Sequence, residues 1–485
     1  MPIALALLLA LLPVAAAGAT PCDDHTPLRR AYFGDTHVHT AWSLDAVGRF
    51  GARATPHEAY AFARGEAIAL PPFDGQGRSG RSLQLDRPLD FAAVTDHAEN
   101  LDFVRICRGG NHPAGDSWSC GLSEISSRLL ARPLQYLAQL TGWDSLYHCG
   151  ADDSRCAEAR ADVWRDTVDA ATRHNSPCEF TTFNAYEWSG GKAAAMAMLH
   201  RNVLFASASV PVAAISAVQA PQPAQLWQAL AAQCRQQDGC DAIAIPHNSN
   251  MSRGLMFAGA GDDNTPMDAD TAALRSRYER LAEIYQHKGS SECYYDPLQS
   301  EDELCAFEYL PYSTTLDKYL RGSLPSQVTP PADDSRFLRE ALREGFKVQR
   351  RTGINPFRVG FVASTDTHIA APGAVRERDY AGHHGAQDLS QDAILVDRLE
   401  QGPGGLAVVY AEQNTREALF AAMQRREAYG TSGTRIGLRF FGADNLPADL
   451  CQLPDAVAQG YARGVPMGGE LELPPRSEGP VFMAS

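Results

Sequence analysis

Residues 32–40 read Tyr-Phe-Gly-Asp-Thr-His-Val-His-Thr, an aromatic, strand-like run that ends in two histidines, His37 and His39. Residues two apart on an extended chain point to the same side, so both imidazoles can bind one ion. Divalent metals such as zinc accept imidazole nitrogen and carboxylate oxygen in the same coordination shell. A lone His-x-His is weak evidence, because histidines with purely structural hydrogen bonds are common.

Four further clusters of metal-binding residue types follow at long intervals, each at the end of an apolar stretch. They are Asp96-His97, Glu187, His247 and Asp366-x-His368. Scattered structural histidines do not explain five clusters that all lie at strand ends. The sequence therefore predicts a metal site at the edge of a sheet.

The segments between these clusters alternate between strand and helix patterns. Strands are predicted at 91–95, 180–186, 241–246, 281–286, 358–365 and 406–410, and helices at 157–173, 224–234, 271–281 and 335–349. A further helix follows, with Asn414 as its predicted N-cap and Glu417 as capping-box partner. Apolar strands buried on both faces favour a parallel sheet, and functional residues at strand ends are typical of a βα-barrel. We expect an α/β barrel.

The predicted domain organisation consists of a barrel and a small C-terminal unit. The barrel is expected to span residues 30–434, with Cys-rich or Pro-rich insertions at 98–179 and 289–334 that are long enough to be lids or subdomains. Residues 435–485 are expected to form a small, partial β unit that begins with a strand at 435–441.

Composition and the N-terminus indicate an exported globular protein. The chain has 485 residues, 44% of them hydrophobic, and its net charge of −15 with no Lys/Arg run argues against a nucleic-acid partner. Residues 1–19 are predicted to be a signal peptide that is cleaved near Ala19. A membrane anchor is the alternative, but the apolar run is short for a bilayer, so no stable membrane insertion is expected after cleavage. The predicted location is periplasmic or secreted.

The eleven cysteines agree with export to an oxidising compartment. No Cys-x-x-Cys motif indicates a zinc-thiolate site, and the odd count leaves at least one thiol free or paired between chains. Four close pairs are predicted disulfides, namely Cys107/Cys120, Cys149/Cys156, Cys234/Cys240 and Cys293/Cys305.

The order of the clusters resembles the PHP (polymerase and histidinol phosphatase) superfamily. Within it, the chain is similar to a branch of secreted bacterial proteins known as a domain of unknown function. The stretch 32–40, the run Glu187-Trp-Ser, the run His200-Arg-Asn-Val and residues 426–433 are typical of that branch. The resemblance covers about residues 30–442 and implies a distorted barrel of about seven strands.

The resemblance also implies a ligand set for two or three divalent ions, Zn, Mn or Fe. A first ion is expected on His37, His39 and Asp366. Glu187 is expected to bridge it to a second ion held by His247 and His287. A third ion is expected on His97 and His368, helped by Asp45, while Asp96 supports a ligand histidine by hydrogen bonding. For His287, a surface histidine beside Lys288 remains the alternative.

This ligand set implies hydrolysis of a phosphate or sulfate ester by a metal-bridging hydroxide. Glu187, Asp96, His200 and Arg201 are the predicted catalytic residues, and Arg201, Lys288 and Asn248 are predicted to contact a small anionic ester. For Arg201, a structural salt bridge is the competing interpretation. An amidohydrolase-like carbon–nitrogen or lactone hydrolase and a non-catalytic metal-binding periplasmic protein are the alternative functions.

Overall fold

The structure is a computed structural model that describes residues 21–108, 120, 154–192, 197–260, 265–295, 298, 302–309, 337–376, 402–475, 477 and 479–485. The strands are β1 (Arg30–Asp35), β2 (Ile68–Ala69), β3 (Ser82–Leu83), β4 (Phe91–Ala93), β5 (Thr181–Trp188), β6 (Gly191–Lys192), β7 (Ala197–Met198), β8 (Arg201–Phe205), β9 (Ala242–Pro246), β10 (Leu281–Gln286), β11 (Gly289–Ser290), β12 (Gly360–Ala363), β13 (Leu406–Ala411), β14 (Ala428–Thr431), β15 (Phe440–Ala443), β16 (Val465–Pro466) and β17 (Val481–Ala484). The helices are α1 (Leu44–Phe50), α2 (Pro56–Ala63), α3 (Leu101–Arg108), α4 (Ser154–His174), α5 (Pro223–Gln233), α6 (Ala269–Tyr278), α7 (Leu338–Thr352), α8 (Arg416–Arg425) and α9 (Ala456–Arg463).

Seven strands form one curled sheet in the order β14-β13-β1-β4-β5-β8-β9. The α/β class is confirmed, but the predicted parallel sheet is in fact mixed. Parallel pairs join β1 to β4 and β4 to β5, whereas the other neighbours in this sheet are antiparallel. Apolar runs report burial on both faces and not strand direction. The short connection from β5 to β8 also permits a hairpin, which parallel neighbours cannot form.

A second sheet, in the order β11-β10-β12, lies beside both edges of the first. Strand β10 runs parallel to β12, β10 lies next to β9, and β12 lies next to β14. The strands that lead to the predicted metal-binding clusters therefore surround one space. Helices pack outside them, with α4 against β5 and α8 against β13.

Strand β5 is the central element of this arrangement, since all eight of its residues are buried. On one side, Tyr186 and Trp188 pack in an apolar cluster with Trp164 and Phe205. Burying one large apolar side chain contributes roughly 1.5–3 kcal/mol, so this cluster fixes the position of the strand firmly.

The helix after β13 begins one residue later than predicted. Its N-cap is Thr415, whose side chain accepts a hydrogen bond from the Ala418 N–H. The Asn414 amide instead donates to the carbonyls of Asp90 and Glu179. The prediction failed because Asn and Thr are both good N-caps and only the tertiary contacts separate them.

Disulfides form at three of the predicted pairs, Cys107–Cys120, Cys234–Cys240 and Cys293–Cys305. Cys22–Cys178 was not predicted, because 156 residues separate the two cysteines. The predicted pair of Cys149 and Cys156 includes a residue outside the described ranges. Cys451 is a free, exposed thiol, as the odd count requires.

The C-terminal residues add a small sheet to the fold. Residues 435–485 contain the three-stranded sheet β16-β15-β17, although its first strand begins at Phe440 and not at 435. The predicted signal peptide lies outside the described residues. In the part of the chain that the structure covers, none of the helices has the length and apolar character needed to cross a bilayer.

Candidate metal centre

The His37-x-His39 and Asp366-x-His368 segments pair with each other just beyond the ends of β1 and β12. Val38 forms a parallel bridge with Thr367. The Asp366 N–H donates to the His37 carbonyl at 3.0 Å, and the His39 N–H donates to the Thr367 carbonyl at 2.8 Å. This ladder brings together side chains that lie more than 300 positions apart in the sequence.

The other clusters join the same ring through their backbones. His97 bridges Glu187, whose N–H donates to the Asp96 carbonyl at 3.0 Å. The His247 N–H reaches the His200 carbonyl at 3.3 Å. Strand ends that meet in this way place the side chains that follow them in one buried space.

Two of these strand ends have a left-handed backbone. Asp366 has a φ of 57° and Asn248 has a φ of 56°. Asp and Asn adopt this region more readily than other non-glycine residues, but it is still a strained choice that concentrates at functional sites. Here it turns the chain so that Asp366 faces the histidines of the opposite segment.

Four buried atoms converge at the centre of the ring. His37 Nε2 lies 3.4 Å from Glu187 Oε2 and 3.2 Å from Asp366 Oδ1. His39 Nε2 lies 3.1 Å from each of the same two oxygens. None of the four atoms makes a hydrogen bond.

This donor set fits a divalent metal ion. Buried polar atoms are almost always hydrogen-bonded, so four unpaired ones at a single point require another partner. Two imidazole nitrogens and two carboxylate oxygens suit zinc and related metals. A tetrahedral ion with bonds of about 2.0–2.1 Å has ligand-to-ligand edges of about 3.3–3.4 Å, close to the distances found here.

Glu187 reaches a second group of histidines with its other oxygen. Its Oε1 lies 3.0 Å from His247 Nε2 and 2.6 Å from His200 Nδ1. His37, Glu187 and His247 together form another cluster whose donor atoms are close enough for one ion. The two carboxylate oxygens of Glu187 therefore face two different groups, which is the geometry of a bridging ligand.

His97 and His368 meet on the other side of His39. The three imidazoles form a cluster of metal-binding size. Asp45 lies between two of them, with Oδ2 at 3.3 Å from His97 Nε2 and 3.0 Å from His368 Nε2. The structure thus places Asp45 where the sequence analysis expected a third group of ligands.

His287 lies in a different group from the one expected. It clusters with Asp366 and His368, with its Nε2 at 2.9 Å from Asp366 Oδ2, and not with Glu187 and His247. Its place after β10, which pairs with β12, brings it to the Asp366 side of the ring. It is buried, so the surface-histidine alternative is wrong.

Asp366 Oδ2 also contacts two polar side chains that follow or end β10. Lys288 Nζ pairs with it directly, and the Gln286 amide donates to it at 2.7 Å. Lys288 keeps 19% of its side-chain surface exposed. It is therefore a cation at the site that remains within reach of solvent.

Glu283 and Gln286 are site residues that the sequence analysis missed. Glu283 Oε2 lies 3.0 Å from His37 Nδ1, so it orients the ring with Nε2 toward the centre. A signal existed in the sequence, because Glu283 is a carboxylate inside an otherwise apolar strand pattern that ends at His287.

Electrostatics favour the metal-binding protonation state at Glu187 and His247, whereas the pKa of His37 is shifted towards its charged form, so an ion bound there would take the place of a proton. Burial opposes charge on His37, but Asp366 outweighs it and raises the His37 pKa well above its usual value. Burial also opposes charge on Glu187, yet the His97 and His247 rings hold its pKa well below the usual range. Burial and the His37 charge lower the pKa of His247 to about 3. Ionised carboxylates and neutral imidazole are the metal-binding forms.

Arg201 does not face this centre, and its predicted role in binding a substrate anion was wrong. Its Nε pairs with Glu279 at 2.9 Å, and its guanidinium lies over the Trp188 ring. Trp188 and Arg201 are opposite each other across β5 and β8, one residue out of phase with Glu187. The alternation of a strand therefore directs Arg201 to the other face, where it forms a structural salt bridge.

Asp96 and Asn248 are both buried. Asp96 was expected to hydrogen-bond directly to a ligand histidine, but a serine lies between them. Asp96 Oδ1 accepts from the Ser43 hydroxyl, and Ser43 contacts His39, so Asp96 acts on a ligand histidine indirectly. Asn248 directly follows His247. Its role as a substrate contact stays a prediction.

Comparison with known proteins places the whole described fold in one family. The family described as "Protein of unknown function (DUF3604)" matches residues 26–485. No curated protein matches the chain. Among solved structures, the chain is similar to a two-domain protein from Bacteroides vulgatus ATCC 8482, which is described as containing a predicted PHP-like metal-dependent phosphoesterase. The two sequences are 11% identical, and the match covers 85% of this chain and 69% of that chain with a TM-score of 0.31.

Proposed function

We propose that this chain, which belongs to the family described as DUF3604, is a metal-dependent hydrolase of phosphate or sulfate esters. The observation that carries the proposal is the convergence of four buried, unpaired donor atoms from His37, His39, Glu187 and Asp366. Catalysis is favoured over a purely structural metal centre because Lys288 and His200, which contact the ligand carboxylates, keep 19% and 17% of their side-chain surface exposed and so remain within reach of a substrate.

The ligand residues have defined tasks in this proposal. His37 and His39 offer Nε2, Asp366 offers Oδ1, and Glu187 offers one oxygen to each of two histidine groups. Divalent ions bound there supply two effects, a lowered pKa for a water molecule and stabilisation of negative charge on ester oxygens.

Two further side chains handle the substrate and the leaving group. His200 Nδ1 donates a hydrogen bond to Glu187, which leaves Nε2 facing away from the carboxylate, so that in the imidazolium form of the ring the Nε2 proton would pass to a departing alcohol. Its side chain is 17% exposed, so a substrate can reach it. Lys288 provides positive charge for the anionic oxygens of the ester, the part once assigned to Arg201.

Export from the cytoplasm also belongs to this proposal. The four disulfides among the described residues support an oxidising compartment, as in the periplasm or outside the cell. A substrate met there is expected to be a small anionic ester in the surroundings of the cell.

The test is a hydrolysis panel with the full chain, using p-nitrophenyl phosphate, bis-p-nitrophenyl phosphate, p-nitrophenyl sulfate and a neutral p-nitrophenyl acetate control. We expect turnover of at least one charged ester, loss of that turnover on chelation, and recovery on addition of Zn²⁺ or Mn²⁺. Turnover that is unchanged by the chelator, or a preference for the neutral p-nitrophenyl acetate over every charged ester, would contradict the proposal.

A further inference from the structure

A buried hydroxyl stands between the carboxylate of Asp96 and the ring of His39. Ser43 Oγ donates to Asp96 Oδ1 at 2.6 Å and lies 2.9 Å from His39 Nδ1. The His97 N–H also donates to Ser43 Oγ at 3.2 Å. Each of these side chains is at least nine-tenths buried, so water does not compete for the contacts.

The donor and acceptor in each hydrogen bond between His39, Ser43 and Asp96 follow from counting the available protons. Asp96 accepts two further hydrogen bonds, from the Thr40 N–H at 2.7 Å and the Thr40 hydroxyl at 2.6 Å, as an ionised carboxylate does. A serine hydroxyl has one proton and two lone pairs. The proton goes to Asp96, and one lone pair accepts the His97 N–H, so the other accepts a proton held on His39 Nδ1.

We propose that Ser43 is a positioning residue that fixes the His39 proton on Nδ1 and thereby leaves Nε2 free to bind a metal ion. This inference rests on the proposed metal centre, but not on the ester chemistry. His37 reaches the same state differently, because Glu283 contacts its Nδ1 directly at 3.0 Å. The two histidines of the His-x-His motif thus have separate supports.

The same contacts use every hydrogen-bonding position of the Ser43 hydroxyl. Its proton is committed to Asp96, and both lone pairs are filled by N–H groups. Ser43 also ties His39 to the backbone of His97, so one hydroxyl aligns ligands from two of the histidine groups.

The experiment measures Zn²⁺ affinity by competition with a chelator, in the full chain. Ser43→Ala removes the acceptor for His39 and should weaken Zn²⁺ binding by about 10–100-fold, as loss of a ligand-orienting hydrogen bond does. Asp96→Asn presents an amide that can donate to Ser43, which reverses the chain and moves the His39 proton to Nε2. It should weaken binding at least as much.

Thr40→Val is the matched control. It deletes a buried hydroxyl that bonds to the same Asp96 carboxylate but does not touch His39, so Zn²⁺ affinity should stay within about twofold of the wild type. In the Co²⁺-substituted protein, the ligand-field absorption bands should shift for Ser43→Ala and Asp96→Asn and not for the control.

The outcomes separate this inference from the metal centre itself. If Ser43→Ala binds Zn²⁺ as tightly as Thr40→Val, the positioning role is wrong while the centre stands. If the wild type binds none of Zn²⁺, Mn²⁺ and Fe²⁺ in this assay, both are wrong. Unfolding temperatures in excess chelator show whether each variant folds, and if Ser43→Ala does not, Ser43→Cys, with its weakly accepting thiol, makes the same comparison.

Discussion

The two faces of the β5–β8 hairpin each bury charged side chains, but they treat them in opposite ways. On one face, Arg201 and Arg275 both pair with Glu279, at 2.9 and 2.8 Å. On the other face, Glu187 Oε2 and the Nε2 atom of His37 lie close together with no hydrogen-bond partner. Both clusters are buried, and only the second leaves donor atoms unpaired.

The difference separates a structural ion network from a ligand site. Buried charges are costly unless they are paired and hydrogen-bonded, and the arginine face satisfies that requirement within the protein. Arg275 also donates to the Met256 carbonyl, so its guanidinium is held on several sides. The glutamate face meets the requirement only with a cation that the chain does not supply.

The largest expected effect is on the paired face. Glu279→Gln leaves two buried arginines without a carboxylate, so the free energy of unfolding should fall by about 3–5 kcal/mol. Urea denaturation measures this fall, and metal content per folded chain should equal that of the wild type. A fall of less than about 1 kcal/mol would mean that the arginine face does not depend on this pairing.

Glu187→Gln is the matched change on the unpaired face. Because Glu187 contacts two histidine groups, metal affinity should fall by more than about 100-fold, the upper range for a residue that only orients a ligand. The metal-free variant should lose less unfolding free energy than Glu279→Gln. Chelator competition and urea denaturation give the two numbers, and a loss in metal affinity of under tenfold would remove Glu187 from the ligand set.

Replacing Lys288 is expected to have a smaller effect, on the hydrolysis of charged esters. This effect would distinguish Lys288, a cation proposed to bind substrate, from the arginines of the paired face. Lys288→Gln should lower kcat/KM on charged p-nitrophenyl esters by about 10–100-fold, since one hydrogen bond to a charged group contributes about 1.5–3 kcal/mol. Hydrolysis of p-nitrophenyl acetate should not change, and metal content should stay equal. Equal losses on charged and neutral esters would show that Lys288 supports Asp366 and does not bind substrate.

The sequence predicts the ligand positions better than the arrangement of the strands. His37, Glu187 and Asp366 could be found because metal-binding residue types stand at the ends of apolar runs. The antiparallel pairing of β5 with β8 could not be predicted, because an apolar run that is buried on both faces does not indicate whether the strand runs parallel or antiparallel to its neighbour. The ligands that lie beside His287 depend on which strand pairs with β10, and the local sequence does not contain that information.

The failure at Arg201 has a more general cause. Arginine next to a candidate catalytic histidine suggests anion binding, but neighbouring residues on a strand point to opposite faces. His200 faces Glu187, and Arg201 therefore faces Glu279. The supporting roles of Glu283 and Ser43 were missed for a different reason. Each contacts a ligand histidine and does not itself belong to a predicted metal-binding cluster.

The most direct test of the metal centre is the metal content of the purified full chain. The wild type, after exposure to Zn²⁺, Mn²⁺ or Fe²⁺ and desalting, should retain two or three divalent ions, measured by inductively coupled plasma mass spectrometry. The double variant His37→Ala/His39→Ala should lose at least one of them. His57→Ala should lose none, because the His57 ring lies against His174 and away from the centre. Equal metal content in the wild type and the double variant, or none in either, would contradict the account.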